Sequence, residues 1–84
     1  MADFENPNLI PVPVIASFNA QGELKPLYFC VEGIRLKVDN ICFTDKRMCD
    51  IIEFRCEVTF IDRVQTVTLR YHKRQGRWMM KRRT

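Results

Sequence analysis

The chain has 84 residues, 46% hydrophobic and 29% charged, with six Phe, two Tyr and one Trp. That leaves room for one small globular domain and excludes a disordered chain. Its formal charge of +4 is unevenly spread, because residues 1–62 hold six Lys/Arg against ten Asp/Glu while residues 63–84 hold eight Lys/Arg and no acid.

Residues 1–8 are polar and predict a flexible arm, with a single β domain over 9–80 and a mobile basic tail over 81–84. Asp3 and Glu5 stand where a signal peptide carries positive charge, and the apolar run from Leu9 to Phe18 is short and broken by Pro11 and Pro13. The sequence therefore predicts a cytoplasmic protein with no membrane insertion. A first strand begins near Ile10, at a sheet edge because the prolines remove ladder donors, with Val12, Val14, Ala16 and Phe18 on one face. Asn19-Ala20-Gln21-Gly22 is a four-residue hairpin loop that sets Val14 opposite Leu27 and Val12 opposite Phe29. Leu27, Phe29 and Val31 alternate in the second strand. A tight turn at Glu32-Gly33 then pairs Val31 with Ile34, Phe29 with Leu36 and Leu27 with Val38.

At Asp39-Asn40 the parity changes, since Ile41 and Phe43 follow Ile34, Leu36 and Val38 out of phase. This predicts a bulge or sharp bend. Thr44 to Asp50 carries no clear register. From Ile52 the alternation is strongest: Ile52, Phe54, Cys56, Val58 and Phe60 face one side, with Glu53, Arg55, Glu57 and Thr59 between them. A turn at Asp62-Arg63 would set Val58 opposite Val67, Cys56 opposite Leu69 and Phe54 opposite Tyr71, with Arg55 against Arg70 on the outer face. Lys73-Arg74-Gln75-Gly76 closes a last hairpin that pairs Tyr71 with Trp78 and Leu69 with Met80. The expected fold is all-β, a six-stranded antiparallel meander curled into a small SH3-like or OB-like barrel. A flatter sheet covered by a second copy of the chain is the rival.

The chemistry-bearing residues are few. His72 is the only histidine, read as a surface side chain beside Arg77. Cys30, Cys42, Cys49 and Cys56 form no C-x-x-C and no zinc spacing, and read as reduced thiols, Cys56 within the core. Every glycine is accounted for by a turn, and Ser17, the one serine, lies inside a strand. The sequence thus points to no catalytic residue, metal or cofactor, and to no enzyme. Its one functional signal is the basic carboxy-terminal end, where Arg70, Lys73, Arg74, Arg77, Lys81, Arg82 and Arg83 form a stripe, with Met79 among them, suited to phosphate backbones or an acidic protein surface. Solvated charge that protects edge strands is the plainer reading.

The segments IPVPVIASF, NAQG followed by LKPLYF, EGIRLKVD, IEFRCEV and VTLRYHKRQGRWMM together form a pattern over residues 9–80. It resembles that of short single-domain β proteins of Gram-positive bacteria, with no assigned function. The resemblance implies a bacterial, intracellular β domain. The leading expectation is a non-catalytic binding or accessory module, and the alternative is a structural homo-oligomer, such as a homodimer, or a protein-interaction domain whose surface charge only solubilises.

Overall fold

Period-two alternation along nearly the whole chain builds strands throughout. A computed structural model describes residues 8–81 as β1 (Leu9–Pro11), β2 (Val14–Phe18), β3 (Leu24–Val31), β4 (Ile34–Lys37), β5 (Asn40–Asp45), β6 (Ile51–Phe60), β7 (Arg63–His72) and β8 (Arg77–Lys81). The expected arm and tail lie outside the described residues except for Asn8 and Lys81. Lys81 is not tail but the last residue of β8, paired with Leu9. The eight strands form two antiparallel sheets, a five-stranded one in the order β1-β8-β7-β6-β5 and a three-stranded one in the order β2-β3-β4. The expected all-β antiparallel character holds. The six-stranded barrel does not, because two of the six strands break and the sheets do not close.

Both breaks have a local cause. Pro13 has no N–H to give a ladder, and the chain changes partner there: Val12 N–H donates to Trp78 O at 3.1 Å, while Pro13 O accepts from Cys30 N–H at 3.0 Å. At the parity change read from Asp39-Asn40, adjacent residues bond to opposite sheets, Val38 N–H to Leu27 O and Asp39 N–H to Glu57 O, both at 2.9 Å. The sharp bend is therefore real, and a true bulge follows at Cys42, between the pairs Ile41↔Cys56 and Phe43↔Arg55. The bulge turns Phe43 outward, contrary to its expected place beside Ile41, and the Arg55 guanidinium lies 5.7 Å from its ring centroid.

Apolar side chains from both sheets meet in one core of Val12, Phe29, Phe54, Cys56, Val58 and Leu69. Tyr71 and Trp78 pack against it with ring centroids 5.1 Å apart, in the expected register Tyr71↔Trp78 and Leu69↔Met80. The β3–β4 turn also holds its register, Val31↔Ile34 and Phe29↔Leu36. Two pairings differ from expectation. Between β2 and β3, Val14 faces Phe29 instead of Leu27, and Leu27 becomes the extra residue of a bulge, with Ala16 facing Pro26 beyond it. Phe18, expected inside, is 68% exposed.

Between β6 and β7 the ladder is displaced by two residues, so that Phe54 faces Leu69, Cys56 faces Val67 and Ile52 faces Tyr71. An even displacement keeps every side chain on its face, so alternation alone does not distinguish the two registers. The observed one replaces Arg55 against Arg70 with Glu53 against Arg70, joined by a 2.8 Å ion pair whose side chains are 15% and 17% exposed. The turn moves to Ile61-Asp62, with φ of 50° and 58°. Both residues thus take the left-handed conformation of a type I′ turn, for which Asn-Gly is the favoured pair. A β-branched residue there is strained by about 1 kcal/mol or more. Ile61→Asn is expected to raise the thermal unfolding midpoint by roughly 4–8 °C. An unchanged midpoint would show that the turn relaxes without cost.

Candidate functional site

Alternation puts Glu53, Arg55, Glu57, Thr66, Thr68, Arg70, Arg77, Met79 and Lys81 on the outer face of the five-stranded sheet. Among the described residues the expected basic stripe is interrupted there. Arg70 is committed to Glu53, and Met79, expected among the cations, is only 3% exposed. His72 is likewise not a surface residue. It is 5% exposed, between Ile51 and Arg77 in the ladder, and Ile51 opposite it is buried too. Lys81 ends β8 while Arg77 begins it, about 13 Å away at strand rise. Arg82 and Arg83 lie outside the described residues.

The structure gathers a different basic group, at one end of the sheet. The loop after β5 lies against the β7–β8 loop, since Lys73 N–H donates to Asp50 O at 2.8 Å and Arg74 Nε lies 3.1 Å from Asp50 Oδ2. Lys46 and Arg47 thereby join Lys73, Arg74 and Arg77, all five exposed. Arg47 is held by Asp45 through Nε and Nη2, at 3.0 and 2.8 Å, and its backbone N–H donates to the same carboxylate at 2.9 Å. The Arg47 hydrogen bonds, side chain then backbone, pull the Asp45 pKa down to about 2. Lys46, Lys73 and Arg77 carry no ion pair among the described residues. Lys46 and Arg47 escaped sequence reasoning because their segment has no alternation, and only the hydrogen bond from Lys73 to Asp50 shows which loop they border.

Two hollows open between the sheets. A cleft of about 810 Å³ lies beside the β3–β4 and β6–β7 turns, lined by Phe29, Val31, Leu36, Val58, Val67 and Met80, among others. A second, of about 510 Å³, lies toward the basic end, with Leu24, Pro26, Ile41, Lys46 and Phe54 in its wall. Among the described residues no three or more His, Cys, Asp or Glu gather in a metal-binding group. No helix there is long and apolar enough to cross a membrane.

Fold and surface together define a small all-β domain of two antiparallel sheets, with a group of exposed cations at one end of the larger sheet. No family model matches the chain, and neither the curated proteins nor the solved structures yield a match.

Proposed function

We propose that the protein is a non-catalytic, cytoplasmic binding module, its bent sheets of the SH3-like or OB-like kind, that contacts a polyanionic macromolecule through its basic carboxy-terminal hairpin. Nucleic acid is the partner that this chemistry favours. The supporting observation is that Lys46, Lys73 and Arg77 lie at the same end of the five-stranded sheet. Lys46 and Lys73 are exposed cations on two abutting loops and Arg77 is the exposed first residue of β8, with no carboxylate bound to them among the described residues. Phosphates that displace counterions from such a cluster bind with an affinity that falls steeply with salt.

The test is binding of purified protein to duplex DNA at low and moderate salt. Lys73→Glu with Arg77→Glu is expected to weaken binding at least about 10-fold and to reduce the log–log salt slope by about 2, since each phosphate contact contributes close to one unit. Unchanged affinity in that folded variant would refute the hairpin reading. The alternative, a homo-oligomer, draws support from β5, an edge strand that carries Phe43 at 49% exposure. A concentration-dependent dimer with no nucleic-acid binding would favour it.

A further inference from the structure

The three-stranded sheet has its own outer face, and its composition differs from that of the larger sheet. Ile15 faces Tyr28, which faces Lys37, Ser17 faces Lys25, and Cys30 faces Arg35. Val14, Phe29 and Leu36 point the other way, into or against the core. Leu27, the extra residue of the bulge, is 41% exposed. Every charged side chain on this face is therefore a cation: Lys25, Arg35 and Lys37, all exposed. The nearest carboxylates along the chain, Glu23, Glu32 and Asp39, stand in the connections at the sheet's ends. Of these, Glu23 accepts from Asn19 at 2.6 Å and Asp39 from Thr59 at 2.8 Å. All three ion pairs of the described residues lie on or beside the five-stranded sheet. The cations of the small sheet have no such partner.

We propose that this face is a platform for single-stranded nucleic acid. Lys25, Arg35 and Lys37 take the phosphates and Tyr28 takes a base. The Arg35 guanidinium lies 5.6 Å from the Tyr28 ring centroid, so the ring is already a stacking surface, covered by a flat cation that a base replaces. Arg35 and Lys37 are two residues apart on one strand face, about 7 Å, and reach neighbouring phosphates of an extended strand. The choice of a single strand over a duplex follows from the ring: unpaired bases lie flat on an aromatic side chain, whereas the bases of a duplex are already stacked on one another. Ile15, opposite the tyrosine and 51% exposed, is an apolar contact suited to base faces and of no use to a bare polyanion. This inference concerns a surface separate from the basic hairpin and does not rest on it.

The test is fluorescence anisotropy with a labelled oligothymidylate of about 12 nucleotides, an upper range for one small β domain, with heparin as a polyanion that has no bases. The expected result is that Tyr28→Ala weakens oligothymidylate binding roughly 5- to 100-fold and leaves heparin unaffected, while Tyr28→Phe keeps the affinity. Lys25→Glu with Lys37→Glu should weaken both ligands and lower the single-strand salt slope by about 1.4. These lysines are exposed, so that variant folds even if Tyr28→Ala does not. Undiminished oligothymidylate binding in Tyr28→Ala or in the double lysine variant would overturn the platform, as would no binding by the parent protein. If binding were lost only in Lys73→Glu with Arg77→Glu, the platform would fall and the hairpin would stand.

Discussion

Val58→Asp is expected to unfold the domain at neutral pH. Val58 is 1% exposed on β6 and belongs to the cluster of Phe29, Phe54, Cys56 and Leu69 where the two sheets meet. An ionised carboxylate there has neither water nor a cation, a penalty of several kcal/mol. The whole domain has a net stability of roughly 4–12 kcal/mol. Circular dichroism and dispersion of NMR resonances measure the outcome. Val64→Asp on the neighbouring strand, at a position 68% exposed, is the control expected to stay folded. A soluble, cooperatively folded Val58→Asp protein would show that the sheets do not pack through this residue.

Cys56 is expected to resist alkylation at least about a thousand-fold better than Cys42 and Cys49, which are exposed. Cys56 is fully buried, so reagent reaches it only through unfolding, and the unfolded fraction of a domain this stable is roughly 1 in 1,000 or less. Burial, with a smaller contribution from neighbouring Cys42, pushes its thiol pKa from 9.0 up to about 11. The sign of the linked pH dependence follows. Below pH 9 the thiol is protonated in both states and stability is full. Between about pH 9 and 11 only the unfolded chain releases the proton, and stability falls by on the order of 3 kcal/mol. Denaturant titrations of the parent and of Cys56→Ala across that range isolate the effect, because the variant lacks this component of the slope. Mass spectrometry after a short alkylation gives the first result. Cys56 modified as fast as Cys49 would place it outside the core.

The candidate surfaces were legible to different degrees. The hairpin loop from Lys73 to Gly76 was visible because glycine and charge mark a loop, and its register followed from Tyr71, Trp78, Leu69 and Met80. That Arg70 and Arg74 are bound to Glu53 and Asp50 was not visible, since it depends on which residues of another strand or loop lie opposite. The cationic face of the small sheet was hidden more deeply. Lys25, Arg35 and Lys37 fall in the part of the chain that is net negative, and only folding separates them from its carboxylates.

The amino-acid sequence by itself determined that the chain is β throughout, which side of nearly every strand faces inward, and where it turns at Glu32-Gly33 and Lys73 to Gly76. Those properties are local: alternation fixes a face, and glycine permits a tight turn. Only the tertiary structure decided which strands break between sheets and how β6 lies against β7. A ladder displaced by two residues keeps the same faces inward, so contacts such as Glu53 with Arg70, 17 positions apart in the chain, have to choose between registers that alternation leaves equal.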